Sequence, residues 1–511
     1  MPQNSTSRNK KIGIGILSLV IIVGIAAQLF FSHKIKTILN QKVPQSLNLS
    51  YGDLSTNVLL GKIKLTDVQM DSPDNHIDFG AESITVSGLR YWPLFKNGAI
   101  ALNDLTIASP NIVQQQKPKN SATTEKEKSV SQNITIDNIS LQSGSYKLLN
   151  QKADSIATLE NIDFKLSDIT FNQETSTQQI PFTFGEYQLN TKQGYLTLSP
   201  WEFITFQKIA LNHKNGNIQQ LALQSRYSKA DLSKKLLVEH DHYDLTIANI
   251  LLTDWDFGMQ TDLPYFHLGK MQLQEPVFHV YRDKLVPDDT SHKKLYNQAL
   301  RDLPIDLKVD SIEIEKGLIT YQERLEPDVE PENLSFTDIE ATVNNVHTHG
   351  SGDVNVDIEA KLMNNGPFTL GWSFDPHNTS NRFLAKGTLY NFQSESISPF
   401  LSSNLRARVK GTVEELYFTI SGNELESQGD MKMKYDDFEF TVLKKDRLGV
   451  NKILTAVVNL FAKDGQDADK DGYRYGDFKV SRNQDKSFFN YLWINLQEGL
   501  LDTMTGRGEK N

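Results

Sequence analysis

From about Ser50 to Val442 the chain alternates apolar and polar residues with period two, and this leaves it few ways to fold. The clearest run is Val354-Asn-Val356-Asp-Ile358-Glu-Ala360-Lys-Leu362, where every second residue is apolar. Asn364-Asn365-Gly366-Pro367 then marks a turn, and Phe368-Thr-Leu370-Gly-Trp372-Ser-Phe374 resumes the alternation. Side chains alternate across a strand, so this is a hairpin with one wet and one apolar face. The same pattern runs through Ile84/Val86, Ile134/Ile136, Ile162/Phe164/Leu166, Leu405/Ala407/Val409, Leu416/Phe418/Ile420 and Met431/Met433/Tyr435. The expected fold class is therefore mainly β.

A weak internal repeat underlies the alternation. Leu105-Thr-Ile107-Ala-Ser-Pro110-Asn-Ile112 matches Met271-Gln-Leu273-Gln-Glu-Pro276-Val-Phe278. Ile139-Ser-Leu141-Gln-Ser-Gly144-Ser-Tyr146 and Ile312-Glu-Ile314-Glu-Lys-Gly317-Leu-Ile319 share the same frame. Proline lacks a ladder N–H and glycine permits positive φ, so each unit reads as strand, kink, strand.

Helical signals are few. Lys34–Leu47, Thr290–Asp302, Leu448–Ala462 and Ser487–Met504 are expected as helices; in the last, Phe488, Leu492, Leu496, Leu500 and Met504 recur every four residues. Residues 114–132 read as a polar linker and 464–474 as an acidic loop. A half-apolar sheet must bury its apolar face, yet this long run of strands has almost no helix to cover it. Two sheets can form a sandwich, one sheet can curl and fill itself, or a curled sheet can hold an apolar ligand.

Ile12 to Phe31 (IGIGILSLVIIVGIAAQLFF) has no charged residue. At 1.5 Å rise per residue it spans roughly 30 Å, the thickness of a bilayer's hydrocarbon core. Leu29, Phe30 and Phe31 follow the small residues Gly24 and Ala26, which favours an uncleaved anchor over a signal peptide. Arg8, Lys10 and Lys11 before it are balanced by Lys34 and Lys36 after it, so orientation rests on the short N-terminal tail staying inside. The 511 residues contain no Cys, which excludes disulfide scaffolds, zinc fingers, iron–sulfur sites and cysteine nucleophiles. A net charge of -10 argues against nucleic acid as a partner.

The order of features resembles the AsmA-like proteins of Gram-negative envelopes. An anchor is followed by Gly61-Lys-Ile63-Lys-Leu65-Thr-Asp67-Val68, an aromatic corner Leu89-Arg-Tyr91-Trp92-Pro93-Leu94-Phe95, and the strand Leu105 to Ile112. Ser311 to Tyr321 resembles the family's central strand. Lys386-Gly387-Thr388, Lys410-Gly411-Thr412 and Gly429 to Tyr435 resemble its C-terminal sheets. The resemblance covers most of the chain, and the ordered series carries it rather than any single motif. It implies an elongated, curled antiparallel sheet, a β-groove, that shields acyl chains, with a few peripheral and C-terminal helices. The implied partners are the inner membrane and phospholipid or another acyl lipid, with the bulk of the chain in the periplasm. The implied role is outer-membrane lipid supply and envelope integrity, without enzymatic activity or cofactor. An envelope scaffold or assembly factor for outer-membrane proteins is the alternative. The expected divisions are a tail (1–11), the anchor (12–31), a first β region (32–113), the linker, a repeating groove (133–442) and the C-terminal helices (443–511).

The residues expected to line the groove are Val354, Val356, Ile358, Phe368, Leu370, Trp372, Phe374, Leu416, Phe418, Ile420, Met431 and Met433; the competing reading packs them as a dry core. Phe488, Phe489, Tyr491 and Trp493 suit a membrane interface, against a cap packed on the last strand. Asp467-Ala-Asp469-Lys-Asp471-Gly472 opens like a calcium loop, but Phe478 stands where the bidentate Glu belongs. His240-Asp241-His242 with Asp244, and His347 with His349, read as ordinary strand-edge clusters, so no metal is expected.

Overall fold

A computed structural model of the chain describes residues 48–57, 61–72, 76–117, 133–178, 180–260, 263–444 and 468–505. The expected anchor at 12–31, its continuation at 34–47, linker residues 118–132 and the helix expected at 448–462 lie outside them. Among the described residues no helix is long and apolar enough to cross a membrane. The fold is mainly β. The chain divides into two compact units, Met1–Leu198 with Ile204–Gln219 and Ser199–Phe203 with Gln220–Asn511.

The strands before the division are β1 (Asn48–Ser50), β2 (Asp53–Asn57), β3 (Lys62–Ser72), β4 (Ile77–Ser87), β5 (Ile100–Ala108), β6 (Asn111–Gln115), β7 (Ile134–Leu149), β8 (Ser155–Phe171) and β9 (Tyr187–Thr197). Helix α1 (Tyr91–Asn97) sits between β4 and β5. β10 (Glu202–Asn212) and β11 (Asn215–Ser225) contain the points where the division falls. The second unit continues with α2 (Lys229–Lys235), β12 (His242–Gln260), β13 (Leu263–Gln274), β14 (Val277–Asp283), α3 (Tyr296–Arg301), β15 (Asp306–Arg324), β16 (Leu334–His347), β17 (Val354–Leu362), β18 (Gly366–Phe374) and β19 (Phe383–Gln393). Helix α4 (Ser398–Leu405), β20 (Ala407–Gly422), β21 (Glu426–Val442), β22 (Arg474–Ser481) and α5 (Phe488–Thr505) complete it.

The repeat in the sequence is a duplication in the structure, with one copy in each unit. β4 pairs antiparallel with β5 and, past the kink, with β6, while both run parallel to β7. β12 treats β13 and β14 in the same way, and both run parallel to β15. The row Val86–Leu105–Ile139–Leu166 therefore corresponds to Leu252–Met271–Ile312–Val343. Ile84–Ile107–Leu141–Phe164 likewise corresponds to Ile250–Leu273–Ile314–Ala341.

The kinks share one backbone conformation. Ser109, Ser143, Glu275 and Lys316, each just before the Pro or Gly of its unit, have φ of 49°, 53°, 51° and 53°. Such left-handed residues in a strand mark bulges, which bend it and re-aim its side chains. The freed N–H of Ser143 donates to Asp163 Oδ1 at 2.9 Å, and that of Lys316 to Glu340 Oε1 at 3.0 Å.

Three expectations need correction. The sheet is mixed rather than antiparallel, because each strand-kink-strand unit lies parallel to its neighbour. Parallel neighbours need a crossover of a dozen or more residues, and residues 284–305 provide it between β14 and β15. Within that crossover the helix expected over Thr290–Asp302 shortens to α3, Tyr296–Arg301. The residues before it are tied into a loop: Ser291 N–H donates to Asp289 Oδ1 and Lys293 N–H to the Gln484 carbonyl. Leu405, expected in a strand, ends α4 instead, and Arg406 (φ 51°) turns the chain into β20.

The first unit closes on its own core. Leu105, Ile107, Ile84 and Val86 are buried, and Leu49, Tyr51, Leu54, Tyr91 and Phe184 pack over that core. In the second unit, α4 sets Phe400 and Leu401 against Tyr321 and Leu334 on one side and Val409 and Phe440 on the other. β16 and β20 are four strands apart, roughly 19 Å in a flat sheet, yet one helix of about 10 Å diameter touches both. The sheet of this unit is therefore curved, with its apolar rows inside.

Candidate functional site: an apolar floor with a polar end

The second unit's apolar rows run unbroken from strand to strand. Ile250, Leu273, Ile314, Ala341, Ile358, Leu370, Gly387, Phe418 and Met431 stand side by side across β12 to β21. One row over lie Leu252, Met271, Ile312, Val343, Val356, Trp372, Ala385 and Ile420. All twelve residues expected to line a groove thus share one face, and they lie toward one end of it.

That end is covered. α5 packs on β20, β21 and β22. Val354, Val356, Leu370, Phe374, Leu416, Phe418, Ile420, Met431 and Met433 are buried, while Ile358, Phe368 and Trp372 are half-buried. Small residues let the layers approach. A Cβ on Gly387 would lie 2.3 Å from the Phe418 ring, and one on Gly476 would lie 2.5 Å from Thr503 Oγ1 of α5. Ser427 donates to Asn495 Oδ1 at 2.7 Å, both buried, and fixes how α5 sits on β21. The Trp372 ring stacks on Phe488 at 4.5 Å between centroids, with Tyr296 of α3 edge-on to Trp372 at 4.9 Å. The geometry here is that of a packed core.

The four residues expected at a membrane interface separate for the same reason. Phe488 and Tyr491 are buried against Phe383 of β19. Trp493 is half-buried, and Phe489 is the outward one, 60% exposed.

The same rows are open at their other end. Met271 and Leu273 of β13, Ile312 and Ile314 of β15 and Val343 of β16 are only half-buried; Ile250 and Leu252 of β12 are buried. Ile319, whose strand neighbours in the row are Phe278 and Phe336, is 41% exposed. In the first unit the equivalent Leu105 and Ile107 are fully buried. The open floor falls on residues quoted above only as a repeat. Their alternation matched that of the covered strands, so periodicity alone could not separate the two.

Beyond Ile319 the inner face turns polar. Tyr243, Val280, Tyr321 and Leu334 form the next row, and Arg282 and Glu323 stand side by side in the one after. Arg282 donates to both Asp241 oxygens at 2.7 Å, a bidentate pair that holds its proton above the ordinary arginine value despite the opposing effect of burial. Burial, with Asp241 beside it, pushes the Tyr243 phenol up to about 12. Glu323 accepts from Tyr321 Oη at 3.2 Å and from Asn404 Nδ2 of α4 at 3.3 Å.

The histidines and the acidic loop are engaged separately. His240 meets Glu202 at 2.6 Å, and His242 meets the Tyr227 carbonyl at 3.0 Å. His347 meets the Gly352 carbonyl at 3.0 Å, and His349 lies 3.7 Å from Asp306. Asp469 folds back on the N–H groups of Asp471 and Tyr473 as a turn, while Asp467 lies outside the described residues. Among the described residues no group of three or more His, Asp or Glu is placed to hold a metal ion. The chain matches no protein-family model and no curated protein.

Proposed function

We propose that this chain is a membrane-anchored lipid-binding and lipid-transfer protein of the AsmA-like kind, working in the periplasm toward outer-membrane lipid supply. The observation that supports the reading is the difference between the two copies of the repeat: Leu105, Ile107 and Ile139 are buried in one, while their counterparts Met271, Leu273 and Ile312 are half-buried in the other. An acyl chain is the occupant whose chemistry suits a floor without fixed polar partners. Each methylene kept out of water is worth about 0.8 kcal/mol. From Ile312 to Ile319 the floor runs roughly 23 Å along β15, longer than half of a bilayer core of about 30 Å, so one acyl chain fits lengthwise. A uniform apolar surface favours no single position, so a chain slides along it without catalysis. The apolar run Ile12–Phe31 would hold the protein at the membrane that supplies the lipid.

The test is mass spectrometry of the full chain after extraction into a detergent-free polymer disc and transfer to buffer. Stoichiometric acyl lipid retained on the protein is the expected result. A folded protein free of lipid, or one that retains a β-barrel protein in place of lipid, overturns the reading, the second outcome in favour of an assembly factor.

A further inference from the structure

The polar end of the open floor contains one carboxylate that its surroundings leave without a counter-charge. Three arginines flank Glu323, and each is committed elsewhere: Arg282 to Asp241, Arg324 to Asp283 and Arg406 to Glu326. Glu323 itself has two neutral donors, Tyr321 and Asn404. Among the described residues no cationic nitrogen forms an ion pair with it. A half-buried carboxylate supported only by neutral donors keeps unspent attraction for a cation. The position adds to this. Glu323 stands on the inner face, two residues beyond Tyr321 and four beyond the exposed Ile319, where the apolar floor stops against α4.

We propose that Glu323 reads the headgroup of the bound lipid, and that the headgroup it takes bears a primary ammonium. This rests on the lipid-groove reading and names its ligand more closely. With the ammonium at Glu323, beside the Tyr321 ring, the acyl chain lies back over Ile319 toward Ile314 and Ile312. Arg282 does not serve an anionic headgroup in its place, because Asp241 already occupies its fork. An anionic phosphoglycerol headgroup would meet Glu323 as a like charge.

The test uses the full chain in mild detergent with equimolar phosphatidylethanolamine and phosphatidylglycerol carrying the same photoreactive acyl chain. The labelled species are counted by mass spectrometry. A charge-assisted contact of this kind predicts about tenfold preference for phosphatidylethanolamine. Glu323→Gln keeps the shape and one of the two acceptors but loses the charge, so with the fold confirmed by circular dichroism the preference should fall to about one; Glu323→Asp should retain it. Free ethanolamine should not displace the lipid, and displacement would make the ligand a soluble amine and overturn the lipid assignment. A wild-type ratio of one, or an unchanged ratio in Glu323→Gln, overturns the headgroup site and leaves the groove standing. Absence of labelling by either lipid overturns the groove reading itself. Should Glu323→Gln unfold, the wild-type ratio alone decides.

Discussion

Gly476 of β22 lies so close beneath Thr503 of α5 that a Cβ on it would sit 2.5 Å from the Thr503 hydroxyl and 2.6 Å from its backbone nitrogen. The Gly499 carbonyl, 3.0 Å away, blocks escape on the other side. Two backbones meet here, so neither can yield as a flexible side chain would. Gly476→Ala should lift α5 off the sheet and cost about 1–3 kcal/mol. Thermal unfolding and near-ultraviolet dichroism of the Trp372–Phe488 stack would measure it. Gly371→Ala, whose nearest neighbour would be 3.6 Å away, should leave both unchanged.

Met431 and Ile314 belong to one row but to different environments. Met431 is 2% exposed under α5, and Ile314 lies half-buried on the open floor. Met431→Ala should cost about 2–5 kcal/mol, as a cavity in a packed core does. Ile314→Ala should cost much less, since solvent or ligand fills the space it vacates. Denaturant unfolding of both variants checks the contrast; equal losses would mean that the floor is as closed as the core.

The buried Ser427–Asn495 pair tests how α5 is positioned. Asn495→Leu strands the Ser427 hydroxyl in an apolar layer and should cost about 1–3 kcal/mol. Adding Ser427→Ala removes the stranded group, so the double variant should recover part of that loss. A strictly additive double variant would show that the two residues do not act together.

A third device ties the residues just before α5 to those just before β12 and just after β14. Lys486 reaches both Glu239 and Asp288, and Lys284 does the same. Burial raises the Glu239 pKa, but the hydrogen bonds from Lys284 and Lys486 outweigh it and hold the group below its unfolded value of 4.5. Its stabilisation is then complete above pH 4.5 and is lost as the pH falls through the lowered folded value. The unfolding temperature should drop on acidification below pH 4.5, and less steeply in Glu239→Gln. An identical acid profile in that variant would remove Glu239 from the account.

Much of the fold is legible in the sequence. Val354 to Phe374 announce their hairpin, and the Pro and Gly at 110, 144, 276 and 317 announce four kinks with one shared geometry. What the sequence conceals is non-local. Nothing in Met271-Gln-Leu273 distinguishes it from Leu105-Thr-Ile107, because exposure depends on what lies over a strand and not on its alternation. Phe488 and Tyr491 suit an interface or, more readily, a cap, and what the sequence does not show is that both lie buried against Phe383. In the sequence Glu323 is one carboxylate among many; what sets it apart is that Arg282, Arg324 and Arg406 each pair with another carboxylate.

The account rests on acyl lipid lying over the open floor and not under α5. The direct measurement places a photo-crosslinking residue at Ile314 in one full-length protein and at Phe418 in another, each irradiated in the membrane. Lipid adducts at position 314 and none at 418 are the predicted outcome. Adducts at both, or at neither while the protein remains folded, would contradict it.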